Sequence, residues 1–200
     1  MRIGKQWLMR LGLVLTLAIG LTLFATWASA ASRGGAQHVR WDIISLVGGA
    51  PPGPINPGGQ ASASAPDGDT ITLTGSGHFV APASGGGTGA VDGGGTWSTS
   101  SGGSGTYQVT SLVSWVSAGP QACCPFMDNI DEGTRTNGTA VLTIAFSDGT
   151  QGVLTIGCHG PGAPPGIFEG IATTKNYKTY YTVQPPTNGV DANRTIFHVR

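Results

Sequence analysis

Asp69 to Val80, DTITLTGSGHFV, is the stretch that decides the fold. Ile71, Leu73, Gly75, Gly77 and Phe79 fall on one face, and Thr70, Thr72, Thr74, Ser76 and His78 on the other. Strict period-two alternation is the mark of a half-buried strand. The pattern continues in both directions. Val91, Gly93, Gly95 and Trp97 share a face, as do Tyr107, Val109, Ser111, Val113 and Trp115. Ala140, Leu142, Ile144 and Phe146 alternate up to Ser147-Asp148-Gly149-Thr150, and Leu154, Ile156 and Cys158 alternate away from it. Asp-Gly between two such runs predicts a hairpin with a type I′ turn. The paired glycines, Gly75 with Gly77 and Gly93 with Gly95, lie on the apolar face beside Phe79 and Trp97. Glycine weakens a strand interior unless a ring covers the bare backbone or the sheet bends there. Strong curvature favours a sheet closed on itself.

Trp41–Val47, WDIISLV, is apolar on both faces and reads as a buried strand or as a strand that switches partners. Residues 48–68 hold five prolines and six glycines and read as a long loop or tether. Residues 119–137 are irregular, GPGAPPG at 160–166 breaks the chain, and short strands are expected at 167–173, 177–183 and 195–199. All thirteen prolines fall outside the expected strand interiors, as ladder hydrogen bonding requires. The expectation is all-β: a single antiparallel β-barrel of about eight or nine strands, with a β-sandwich as the alternative. Residues 31–68 supply an N-terminal strand plus the Gly/Pro-rich loop, and 69–200 the remainder of one β-domain.

Residues 1–30 read as a secretory signal peptide: Arg2, Lys5 and Arg10, an uncharged stretch from 11 to 27, then Ala28-Ser29-Ala30. Beyond it seven basic residues stand against ten acidic ones, a net charge of −3. That balance gives no attraction to nucleic acid, and it leaves contact with a membrane to the leader alone, if uncleaved. Only 10% of residues are charged and 34 of 200 are glycine, which argues against coiled coils and helix-rich enzymes. The expected location is exported: secreted, periplasmic or at the cell surface.

The segment order WDIISLV, GDTITLTGSGHFVAP, GGGTWSTSSGGSGTYQVTSLVSW, AVLTIAFSDGTQGVLTIGCH, IFEGI and DANRTIFHV resembles a family of uncharacterised secreted Gly-rich bacterial β-domain proteins. The resemblance covers most of the chain after the leader. It implies an exported Gly-rich β-domain and carries no assigned activity.

Catalytic signatures are few. There is no G-x-S-x-G elbow, phosphate loop or H-E-x-x-H helix. Gly85–Ala90 can be forced onto a dinucleotide fingerprint, but no helix follows to hold the phosphates. Cys158 and His159 are adjacent strand residues that point to opposite faces, which argues against one shared metal. No metal and no cofactor is expected. In an oxidising compartment Cys158 is expected to bond to Cys123 or Cys124, leaving one odd thiol. Glu169 alternates with Ile167 and Ile171, so it points inward, and a buried carboxylate needs a partner or a raised pKa. His198 and Arg194 are its candidate partners. Tyr177, Tyr180 and Tyr181, with Lys175 and Lys178, form a candidate stacking surface for a planar ligand or sugar. Asn137 and Asn193 head two glycan acceptor patterns. Two functions follow: a non-enzymatic domain that binds a small molecule or acts at the cell surface, and a hydrolase or cyclase-like isomerase using Glu169 with His198.

Overall fold

The computed structural model describes residues 36–49, 53–81, 90–122 and 126–200, and these form one compact unit from Ala36 to Arg200. The described residues are all-β. The thirteen strands are β1 (Gln37–Leu46), β2 (Asn56–Pro57), β3 (Ala61–Ser64), β4 (Thr70–Leu73), β5 (Ser76–Ala81), β6 (Gly94–Thr99), β7 (Ser104–Pro120), β8 (Thr134–Phe146), β9 (Gln151–Cys158), β10 (Gly170–Lys175), β11 (Lys178–Tyr180), β12 (Thr182–Val183) and β13 (Gly189–Val199). Six of them, in the order β1-β13-β8-β7-β6-β5, pair antiparallel around a closed ring. The barrel is therefore smaller than the eight or nine strands expected. The other strands extend from it: β9, β10 and β11 beyond β8, β4, β3 and β12 beyond β6, and the short β2 against β1. The C-terminal β13 sits between β8 and the N-terminal β1, a long-range pairing that no local pattern announces.

The lumen is filled by the residues that alternate in the sequence. Trp41, Phe79, Tyr107, Leu142, Ile144 and Phe197 are all fully buried. Trp115 closes one end, edge-on to Phe79 at 5.6 Å and to Phe197 at 4.6 Å. Each such side chain contributes roughly 1.5–3 kcal/mol through loss of apolar surface to water. The alternation fails in β7, where three register shifts interrupt its pairing with β8. Each bulge adds a residue and turns the following side chains to the other face. Val113, expected inside, is 53% exposed, while Leu112 packs on the core.

The ring closes at its narrowest seam, where β5 and β6 share the single pair Ser76↔Gly94. Flanking backbone bonds complete it: Thr74 N to Thr96 O at 3.1 Å, Asp92 N to His78 O at 2.9 Å, and Val80 N to Ala90 O at 2.8 Å. Here the glycines act by close approach of backbone to backbone more than by lying under rings. A β-carbon on Gly77 would lie 2.3 Å from the Asp92 carbonyl oxygen, and one on Gly95 would lie 2.0 Å from that of Thr74.

Three hairpins use one turn. At Ala65–Asp69, Thr99–Gly103 and Phe146–Thr150 the first carbonyl accepts from the glycine three residues on, and the first N–H donates to the carbonyl of the fifth residue. Only the glycine has positive φ: 86° at Gly68, 106° at Gly102 and 84° at Gly149. This is a type I turn followed by a left-handed glycine bulge. It replaces the expected type I′ turn at Asp148-Gly149, which needs positive φ at both residues.

Residues 48–68 are also more ordered than the tether expected of them. Of that segment 48–49 and 53–68 are described, and the latter stretch carries β2 and β3. Ala61 and Ala63 are fully buried opposite Leu73 and Ile71. Small side chains let β3 pack closely, and the surrounding Gly and Pro hide its four-residue alternation. Asp69 fastens this region. Its carboxylate accepts from Ser100 Oγ (2.7 Å), Ser101 N (3.0 Å), Lys178 Nζ (3.0 Å) and Tyr180 OH (3.0 Å). The Ser100 hydroxyl and the Lys178 ammonium hold it well below the usual carboxylate range. The turns before β4 and β7 are thereby tied to β11.

Gly77→Ala is expected to lower stability by more than about 3 kcal/mol in urea unfolding, because backbone must move to admit the methyl group. Gly149→Asn, at an open turn that asparagine tolerates, is expected to cost under about 1 kcal/mol.

Candidate binding pocket

The buried strand read at 41–47 explains where the pocket lies. Trp41 and Ile43 face the lumen, so Ile44 and Leu46 face out. With Ala192 and Ile196 of β13 they form a second apolar patch, covered by Ile55, Phe126 and Ile130. The cover is pinned by a parallel bridge between Ile55 and Asp128.

Beside this patch β13 diverges from its neighbour. It pairs with β8 only over Phe197–Val199, and toward Gly189 its backbone N–H groups need other partners. Polar side chains bridge the gap to β9. Glu169 accepts from Thr195 N at 2.8 Å with one carboxylate oxygen and from His159 N at 2.6 Å with the other. Thr195 Oγ1 donates to Gly157 O at 2.7 Å. Asn137 Oδ1 accepts from Gly160 N at 2.8 Å, and its amide donates to Pro161 O at 3.3 Å. Asn193, with φ 51°, bridges in the same way toward β3, accepting from Ser62 N at 2.9 Å.

Glu169, Arg194, Gln121, His159, Ile44, Leu46, Ile55, Phe126 and Ile196 surround a cavity of about 180 Å³. Burial pushes the Glu169 carboxyl up to about 7; the two N–H bonds and the charges of Arg194 and His159 offset only some of that desolvation. Arg194 and Glu169 face the same cavity without forming an ion pair. The one side-chain bond that Arg194 makes among the described residues is from Nε to Thr187 O at 3.4 Å. Cys158 is buried beside the carboxylate, and burial together with the Glu169 charge pushes its thiol up.

The other candidate residues are dispersed. His198 does not meet Glu169: its Nε2 lies 2.8 Å from Asp128 Oδ2. It belongs to a cross-strand row, His78–Arg40–His198–Arg135, on β5, β1, β13 and β8. This row borders a second cavity of about 620 Å³, whose lining includes Arg40, His78, Asp92, Glu132, His198 and Arg200. Its charges are largely spent on one another. Arg40 makes two 2.8 Å bonds to the fully buried Asp42 and a third bond to Glu132, and Glu132 also accepts from Arg200 at 2.5 Å.

Tyr177 and Tyr181 are 94% and 65% exposed, but Tyr180 is buried with its hydroxyl on Asp69, so the three rings present no common surface. Lys178 pairs with Asp67 and Asp69, and Lys175 lies 4.3 Å over the Trp97 ring. Cys158 is a free thiol, and its expected partners Cys123 and Cys124 lie outside the described residues, as do the leader and residues 85–89 of the glycine loop. Asn137 and Asn193 are both buried and bonded, which withholds them from a glycan acceptor role in the folded chain. Among the described residues no three His, Cys, Asp or Glu side chains gather to hold a metal ion, and no helix is long and apolar enough to cross a membrane. Comparison with protein families, curated proteins and solved structures finds no match.

Sequence reasoning missed Ile55 and Phe126, which lie in segments read as irregular, and Asp128 as the partner of His198. Asn137 and Asn193 did carry a signal, since asparagine is depleted in strands and marks a departure from regular pairing.

Because Glu169 titrates higher in the folded chain than in the unfolded one, the native state binds the extra proton. Its contribution is full below about 4.5 and is lost as pH rises through about 7. Wild-type protein is expected to lose about 3 kcal/mol over that window. Glu169→Gln should flatten this segment of a stability–pH profile measured by urea unfolding.

Proposed function

We propose that the chain is an exported, non-enzymatic binding domain whose ligand site is the cavity at Glu169. The leader pattern at 1–30 and the resemblance to secreted β-domain proteins support export. The observation that carries the binding reading is one carboxyl, titrating near neutrality, at the rim of an apolar cavity on the outer face of β1 and β13. Small-molecule sites pair apolar walls with few polar groups that fix orientation. With the lumen filled by Trp41, Phe79, Tyr107 and Phe197, the outer patch is the better place for a guest. At about 180 Å³ the cavity suits a compound of about six non-hydrogen atoms, taking ~30 Å³ for each as for water. The partner is a small molecule, with no nucleic acid involved.

A catalytic role, as a hydrolase or cyclase-like isomerase, is the second reading. The Glu169 pKa of about 7 favours it, being matched to general acid–base work. Against it, the ring of His159 is turned to the Ile167 carbonyl at 2.7 Å and His198 is held by Asp128, so among the described residues neither histidine ring is offered to the carboxyl.

Pentanol is a neutral probe of the right size. In amide-resolved NMR it is expected to produce saturable shifts at Ile44, Thr195 and Ile196. Shifts confined to Tyr177 and Tyr181, or none at all, would refute the pocket.

A further inference from the structure

Two charged groups face the Glu169 cavity from different strands, and neither satisfies the other. Arg194 on β13 lines it with both Nη groups unbonded among the described residues, and Glu169, just before β10, lines it with each oxygen already accepting one backbone N–H. A guest that carried a cation would set it against Arg194. A guest that carried a carboxylate would find in Arg194 a two-pronged donor, the geometry guanidinium groups suit best. Its conflict with Glu169 disappears when Glu169 holds a proton, because the acid then donates an O–H bond to the guest's carboxylate. Two carboxyl groups sharing one proton beside a cation is a stable arrangement, whereas two adjacent carboxylates repel.

We infer that the cavity takes a small monocarboxylate, its tail against Ile44, Ile55, Phe126 and Ile196 and its head between Arg194 and a protonated Glu169, so that binding takes up one proton from solvent. This rests on the pocket reading above and names the class of its ligand. The proton enters on Glu169 and stays there, shared across the hydrogen bond to the guest, and no covalent bond changes. The titratable and charged groups facing Glu169 are Arg194, His159 and the Cys158 thiol. Burial raises the thiol, which therefore stays protonated. His159 lies on the exposed side with its ring bonded to Ile167 O.

The test is calorimetric titration of the full chain with pentanoate, pentylammonium and pentanol between pH 6 and 9. Pentanoate is expected to bind at least tenfold tighter than pentylammonium at pH 6. Its affinity should fall about tenfold per pH unit above about 7, with about one proton taken up per guest there. Pentanol affinity should stay level. Arg194→Met is expected to weaken pentanoate at least tenfold while sparing pentanol. Glu169→Gln, which removes the titrating group, should abolish the pH slope, so that whatever affinity for pentanoate remains stays level from pH 6 to 9. Pentanol binding with pentylammonium preferred, or with pentanoate affinity indifferent to pH, would overturn the carboxylate inference and leave the pocket standing. Failure of all three probes would remove the pocket itself.

Discussion

The architecture depends on a place where backbone meets backbone with no side chain between. At the seam joining β5 to β6, the segments around Gly75–Gly77 and Gly93–Gly95 approach so closely that a β-carbon on Gly77 would stand 2.3 Å from a carbonyl oxygen. One cross-strand pair and a few flanking bonds carry the closure. Glycine costs conformational entropy in a strand, and the return here is a ring that leaves no open side between β1 and β7. A sheet left open at this seam would expose unpaired backbone groups and the Phe79–Trp115–Phe197 cluster to water.

Closure with only six strands has a consequence for function. So small a lumen fills with its own side chains, and the cavity at Glu169 lies outside it. The outer face of β1 and β13 provides the room, because β1 is apolar on both faces and β13 diverges from β8 after three pairs. The backbone donors left by that divergence are met by the carboxylate of Glu169 and the amides of Asn137 and Asn193. Glu169 is thus both a surrogate ladder partner and the acidic wall of a cavity. The same desolvation that raises its pKa to about 7 gives the fold a pH-dependent joint and the pocket a proton near neutrality.

Much of this was legible in the residues. Period-two alternation marked the inward lining of β4, β5, β6, β8 and β9, and the glycine pairs marked the bend. Arg194 was already a candidate partner of Glu169, but the carboxylate lies before β10 and lines the outer cavity, not the inner face that its alternation with Ile167 and Ile171 suggested. What stayed hidden was non-local or carried by backbone. The six-strand ring depends on β13 pairing with β1 across the length of the chain. The main partners of Glu169 are backbone N–H groups of His159 and Thr195, which no side-chain pattern encodes. His198 was paired in expectation with Glu169, yet Asp128 reaches it from a segment without periodicity. In β7 the bulges broke the very rule that placed Val113 inside, and in β3 flanking Gly and Pro concealed a strand of alanine and serine.

The central claim, that the glycine seam holds the barrel closed, is tested most directly by native-state hydrogen exchange at the amides of Thr74, Val80 and Asp92. These donate to the carbonyls of Thr96, Ala90 and His78 across the seam. If the ring is a single closed unit, they exchange only through global unfolding, with protection matching that of Leu142 and Ile144 in the core. Exchange at these three amides through a local opening of much lower free energy, while Leu142 and Ile144 stay protected, would contradict it.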